Sequence, residues 1–222
     1  MSRYLDFFEE VYYINLERRT DRKELFEKRS KEVGIDAVRF LAIEPDPNDP
    51  LILNSTDPRK RWKLGCTLSH QEIIRTATKN NFKNVLIFED DCIFLDGFEE
   101  KVSKCVNDLK NVEWDLMYFG GQPNNYCNKV TDNLYLMKNG GVYTTHAYAV
   151  NHTFYKKMIN VSPHQVDTID ILLLNYDDMG RRCLLSKDLL AIQDATYSDL
   201  WNTIVDASYY MRRDWEKFVT SR

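Results

Sequence analysis

The sequence predicts an α/β domain built on a mostly parallel central sheet. Three observations lead there. Short runs rich in β-branched and aromatic residues alternate with amphipathic segments of helical length, the order that places a sheet between helices. One run, NVLIF (84–88), is apolar without interruption, as in a strand buried on both faces. Finally, 222 residues with a hydrophobic fraction of 43% and an aromatic fraction of 13% suffice to bury a sizeable core.

The elements follow in order. VYYINL (11–16) reads as the first strand. A helix starts at Thr20 or Asp21, either of which can cap it, with Glu24 three residues after Asp21 and Gly34 at its stop. AVRFLAI (37–43) reads as the second strand, and the four prolines of EPDPNDPLILNSTDPRK (44–60) make a loop. GCTLSHQEIIRTATKN (65–80) is a helix whose inward stripe is Cys66, His70, Ile73, Ile74 and Ala77, which makes His70 an interior, hydrogen-bonded histidine. After the strand at 84–88, FEEKVSKCVNDL (98–109) reads as helix, and WDLMYFGG (114–121) as a strand ending in a glycine turn. LYLM (134–137) and VYTTHAYAV (142–150) are further strands, and TFYKKMI (153–159) and DTIDILLLNY (167–176) are helical. LLAIQ (189–193) is the last strand, and SYYMRRDWEKFV (208–219) is a C-terminal helix. With no repeat or linker, a single domain over 1–222 is expected, its core at about 11–200 and a helical extension at about 201–222.

Composition excludes several classes. A formal net charge of −4 provides no general attraction for nucleic acid, and PRKRWK (58–63) is expected to be a solvated loop, able at most to meet a phosphate. The cysteines (Cys66, Cys92, Cys105, Cys127, Cys183) are odd in number, scattered and free of C-x-x-C pairs, which argues against a structural zinc site or a disulfide framework. No run is long enough to span a bilayer and MSRYLDFFEE does not read as a leader, so a reducing, cytoplasmic setting is expected.

The chemistry concentrates in FEDDCIF (88–94). Glu89, Asp90 and Asp91 follow the most apolar strand, at the end where open α/β sheets bind ligands. Adjacent carboxylates repel and lose solvation there, so a cation, a helix cap or solvent exposure must account for them. If the backbone stays extended, Glu89 and Asp91 project to one side and Asp90 to the other. Two carboxylates on one side suit Mn²⁺ or Mg²⁺, which could neutralise a diphosphate leaving group. Other phosphate chemistries fit less well. Asp90-Asp91-Cys92 lacks the order of a phosphatase nucleophile, and no G-x-x-x-x-G-K, G-x-G-x-x-G or H-E-x-x-H occurs.

Several segments together resemble glycosyltransferase family 25. INLERRTDR (14–22), GCTLSH (65–70) and VLIFEDD (85–91) carry the likeness; WDLMYFGG, THAYAV, QVDTIDILL and QDATYSDL extend it more loosely and in order to about residue 200. The resemblance implies a GT-A fold, a UDP-sugar donor (usually UDP-galactose or UDP-glucose), and an inverting transfer to a glycan or hydroxylysine-type hydroxyl. It puts Asn15, Arg18 and Arg22 near the nucleotide, where an arginine could fork onto a phosphate. Glu89 and Asp91 would hold the ion and Asp90 would contact the donor's ribose or sugar. Asp167 would be the base that deprotonates the acceptor, although Asp167 with Asp170 also reads as a helix cap. His146, taken to share a strand face with Thr144 and Tyr148, would line the acceptor cleft or be covered by packing, and Asp199 would assist with acceptor or metal. Gly120 and Gly121 would permit a tight turn beside the sugar, and the loop around 44–61 would close over the donor. The alternative is a non-catalytic nucleotide-sugar or glycan-binding domain of the same descent. Oligomeric state is not implied.

Overall fold

A computed structural model of the chain describes residues 3–137, 139–162, 168–174, 182–200 and 202–220. The first half runs β1 (Glu10–Asn15), α1 (Thr20–Glu32), β2 (Val38–Leu41), α2 (Pro50–Leu53), α3 (Lys60–Lys79), β3 (Asn84–Glu89), β4 (Cys92–Phe94) and α4 (Phe98–Leu109). Then come β5 (Leu116–Tyr118), β6 (Gln122–Pro123), β7 (Cys127–Lys129), β8 (Leu134–Met137), β9 (Val142–Tyr143), β10 (Ala147–Asn151), α5 (His152–Asn160) and α6 (Ile169–Leu174). The chain closes with β11 (Cys183–Ser186), β12 (Ala191–Gln193), β13 (Tyr197–Ser198), β14 (Thr203–Ile204) and α7 (Ser208–Trp215).

Eight strands form the central sheet in the order β2-β1-β3-β10-β5-β11-β8-β7. β1, β2, β3, β5, β7 and β11 run one way, and only β8 and β10 oppose them, so the sheet is mostly parallel as predicted. β3 shows why its sequence is apolar throughout. Val85 and Ile87 enter a cluster with Ile73, Ile74 and Ala77 of α3 and Phe154 and Met158 of α5. Leu86 and Phe88 enter another with Phe26 of α1 and Phe98 and Val102 of α4. Both faces of the strand are covered by helices, and period-two alternation therefore sorts two hydrophobic sets rather than inside from outside. Trp215 and Val219 complete the first cluster, so the C-terminal helix packs into the body. Among the described residues no helix is long and apolar enough to cross a membrane.

Several expectations are corrected. α3 begins at Lys60, five residues before the predicted start, so PRKRWK is not a solvated loop. Its Lys63 is buried at 5% exposure and pairs with Asp57 at 2.8 Å. The proline-rich loop contains α2, a single helical turn. Asp21 does not cap α1; its carboxylate is taken by the Arg19 guanidinium at 3.0 and 2.9 Å. VYTTHAYAV is two strands, because Thr144 adopts φ 69° and breaks the extended run before β10. His146 therefore shares no strand face with Thr144. Residues 189–193 hold no central strand: β12 pairs with β4 outside the main sheet, and β13 and β14 follow it. The strand CLLS, β11, had no prediction, although it lies inside the sheet.

Gly120 is required by proximity rather than by a turn. A Cβ there would sit 2.2 Å from the Ala191 carbonyl oxygen and 2.6 Å from His146 Nε2. Backbone cannot yield as a flexible side chain can, so Gly120→Ala is expected to destabilise the fold by about 1–3 kcal/mol or more. A urea midpoint unchanged from wild type would refute that assignment.

Candidate active site

The carboxyl ends of β1 and β3, the first turns of α3, the start of α6 and the segment after β12 surround a cleft of about 700 Å³. Parallel strands end here, and helix and loop backbone supply the rim, as in other open α/β sheets.

Glu89, Asp90 and Asp91 all line the cleft, but not by the predicted alternation. Glu89 ends β3, and Asp90 and Asp91 form the turn into β4, which leaves the main sheet to pair with β12. The Asp91 carbonyl accepts from Asp194 N at 2.7 Å, tying the turn to the chain after β12. Each carboxylate then meets a different environment. Glu89 Oε1 accepts from Thr145 Oγ1 at 2.7 Å and lies 3.4 Å from His70 Nε2. Burial opposes its charge, yet His70 and the Thr145 hydroxyl hold its pKa below the ordinary glutamate value. Asp90 has both oxygens committed: Asn15 Nδ2 donates to Oδ2 at 2.6 Å and Arg22 Nη1 to Oδ1 at 2.8 Å. Burial still outweighs these partners and raises its pKa. Asp91 is the least compensated. Arg22 Nη1 stands 3.4 Å from Oδ2, and Oδ1 is buried with no hydrogen-bond partner among the described residues. Burial first, then the neighbouring Glu89, push its pKa up to about 7.

Asn15 and Arg22 act on this turn. Asn15 Oδ1 accepts from Arg39 at 3.0 and 2.6 Å, which fixes the amide so that its NH₂ faces Asp90. Arg22 Nη2 also reaches Thr196 Oγ1 at 2.9 Å and the Tyr197 carbonyl at 3.0 Å, so its fork is occupied by protein. Arg18 stands farther out, paired with Glu44 at 2.7 Å and Asp199 at 2.8 Å and stacked on the Trp62 ring at 5.0 Å. Asp199 joins the rim through Arg18 and through Arg19 at 2.6 Å. Burial opposes its charge, but the two guanidiniums keep its pKa low.

The histidines separate. His146 is fully buried, with Nε2 against the Ala191 carbonyl at 3.1 Å and Nδ1 against Thr144 Oγ1 at 3.1 Å. It is covered by packing, the second of the two placements expected for it, and ties the start of β10 to Ala191 of β12. Burial lowers its pKa, so it stays neutral. His70 is interior, 1% exposed, with Nδ1 against Tyr148 OH at 2.9 Å, yet its other nitrogen faces Glu89 at the cleft wall. Asp167 lies outside the described residues. Asp170 is on the cleft but held: it accepts from Thr144 N at 3.2 Å, Ile171 N at 2.9 Å and the Thr168 hydroxyl.

The sequence model of "Glycosyltransferase family 25 (LPS biosynthesis protein)" matches residues 8–173. The chain belongs to this family. A "Glycosyltransferase 25 family member" of Anopheles gambiae is 28% identical over 173 residues, covering 69% of this chain and 29% of that protein. "Procollagen galactosyltransferase 1-A" of Xenopus laevis is 32% identical over 132 residues, covering 51% and 21%. The human "Inactive glycosyltransferase 25 family member 3" is 30% identical over 177 residues, covering 70% and 29%. The chain thus spans under a third of the length of these relatives.

The expected mostly parallel sheet flanked by helices is present, with the cleft at its strand ends. Thr145 and Asp194 are among the cleft residues that escaped sequence reasoning. Thr145 follows a break in β-structure that no propensity signals, and Asp194 reaches the triplet only through its backbone. Cys66 had been read only as part of a helical stripe. Its spacing of four from His70 on α3 was the available signal that both face one point.

Proposed function

We propose that this chain is the sugar-transferring domain of an inverting, metal-dependent hexosyltransferase that uses a UDP-sugar, galactose or glucose, and a hydroxyl acceptor on a glycan or a hydroxylated side chain. The observation that carries the reading is Asp91 Oδ1, a buried carboxylate oxygen at the strand ends with no partner among the described residues. A group held at such cost fits a hard divalent ion, with Asp91 and Glu89 as its protein ligands. Bound there, Mn²⁺ or Mg²⁺ would neutralise the diphosphate and ease its departure. Asp90, locked by Asn15 and Arg22, keeps the turn in shape, and is the proposed contact to the donor's ribose or sugar. Asp167, which matches the aspartate of the family's V-D motif, is the proposed base for the acceptor hydroxyl, while Asp170 is engaged on both oxygens. Cys66, Cys92, Cys105 and Cys127 are free thiols, in keeping with a reducing, cytoplasmic setting.

The test is a panel of UDP- and GDP-sugars, with and without Mn²⁺, read as released nucleoside diphosphate. Release from a UDP-hexose that disappears on chelation is expected. Inorganic phosphate from simple esters, without nucleotide release, would replace this reading with a phosphatase. The name of the human relative gives substance to a second reading, a non-catalytic binding domain. Metal-dependent UDP-sugar binding without any turnover would favour it.

A further inference from the structure

Cys66, His70 and Glu89 converge on one wall of the cleft. Their ligand atoms, a thiol sulfur, a ring nitrogen and a carboxylate oxygen, all lie within 4.8 Å of one another. His70 Nε2 and Glu89 Oε1 are 3.4 Å apart. That is long for a hydrogen bond, but two ligands held at about 2.0–2.2 Å around one tetrahedral ion sit about 3.3–3.6 Å from each other. Cys66 and His70 stand one turn apart on the same face of α3, and Glu89 comes from the end of β3, so two rigid elements bring the set together without a loop.

The surroundings suit the same role. Tyr148 OH contacts His70 Nδ1 at 2.9 Å and can accept from an N–H there as readily as donate, which allows Nε2 to be the bare nitrogen that a metal needs. Thr145 Oγ1 orients Glu89 at 2.7 Å. All three ligands line the cleft, which provides a path in and a fourth coordination direction facing solvent.

We propose that Cys66, His70 and Glu89 form a site for a thiophilic divalent cation of the zinc class, separate from the Asp91 position and sharing only Glu89 with it. Sulfur, imidazole and carboxylate are each zinc ligands, whereas Mn²⁺ and Mg²⁺ favour oxygen and have little use for the sulfur. Binding converts the Cys66 thiol to thiolate, its proton leaving to solvent. One consequence rests on the proposed function: zinc drawing Glu89 Oε1 toward Cys66 and His70 would take a ligand from the Asp91 position, so zinc would inhibit Mn²⁺-supported turnover.

Co²⁺ titration of the metal-free full chain tests the site without any turnover. Wild type is expected to develop the thiolate-to-cobalt charge-transfer band and the intense visible bands of a tetrahedral ion, both erased by excess Zn²⁺. Cys66→Ser should lose the charge-transfer band, and folded Asp91→Asn should keep it. Zn²⁺ should also slow alkylation of Cys66, the one partly exposed thiol beside four buried ones. A spectrum of purely octahedral, oxygen-ligated cobalt, or a charge-transfer band that survives in Cys66→Ser, overturns the proposal. Where the chain turns over a sugar nucleotide, Cys66→Ser should raise the zinc concentration for half-inhibition by roughly tenfold or more, since losing even an outer-shell partner has that effect. Failure of turnover would sink the donor reading and leave the cobalt result standing.

Discussion

Asp91→Asn is expected to abolish metal-dependent release of nucleoside diphosphate while leaving the metal-free fold at least as stable as wild type. The two halves of this result have one cause. Asp91 is a carboxylate whose burial is not repaid by the protein: Oδ1 has no partner among the described residues and its pKa is pushed up to about 7. An amide of the same shape removes that burden from the folded state. It also removes the anionic oxygen on which the ion would depend, and because such an ion supplies several kcal/mol to leaving-group departure, turnover should fall by at least about a hundredfold. Denaturation curves in chelator and initial rates in Mn²⁺ would be measured on the same preparations. Wild-type turnover in the variant would remove Asp91 from the chemistry altogether.

The second large effect is structural. Arg22→Ala is expected to destabilise the protein by about 3–5 kcal/mol, because it strips the cation from two buried carboxylates that already crowd Glu89. Arg22 is 12% exposed at its side chain and lies 2.8 Å from Asp90 and 3.4 Å from Asp91. The sign of the pH effect follows. In the folded state Asp90 and Asp91 sit above their unfolded values, Asp91 at about 7, so the folded form takes up protons more readily and gains relative stability as pH falls through about 7. The Arg22→Ala deficit should therefore shrink between pH 8 and pH 5. Asp90→Asn in the same background should recover part of the loss, since the two residues share one contact. A deficit under about 1 kcal/mol, the range of an exposed pair, would mean that water reaches this arginine freely.

What could be read from the chain beforehand depended on whether a signal was local. β3 was legible because two buried faces demand a continuous apolar run, and α4 because its apolar spacing is regular. That the triplet lines the cleft was legible from its place after that strand. Its geometry was not: the pairing of β4 with β12 bends Asp90 and Asp91 into a turn, and that pairing joins residues about a hundred positions apart. Arg22 could be placed at the carboxyl end of β1 from its position after that strand, but its capture by Asp90 and Thr196 depends on the same long-range closure. His146 could be read as cleft-lining or as packed, and was put on one face with Thr144, because β-propensity ran through Thr144, where the backbone in fact turns to positive φ. The cysteine spacing rule looks for pairs of cysteines, and a ligand set drawn from one helix turn and one strand end lies outside its reach.

β11 has a bearing on how the molecule comes into being. Cys183–Ser186 sits between β5 and β8, although the family match ends at residue 173. A polypeptide truncated at that boundary would keep β2, β1, β3, β10 and β5 as a slab and set β7 and β8 adrift as a lone hairpin, a unit of marginal stability in water. The newly bared flank of β5 would present a row of unsatisfied amides and carbonyls to any other nascent chain. During synthesis, the sheet cannot be completed until residue 186 has left the ribosome, because β11 is the strand that joins β5 to β8.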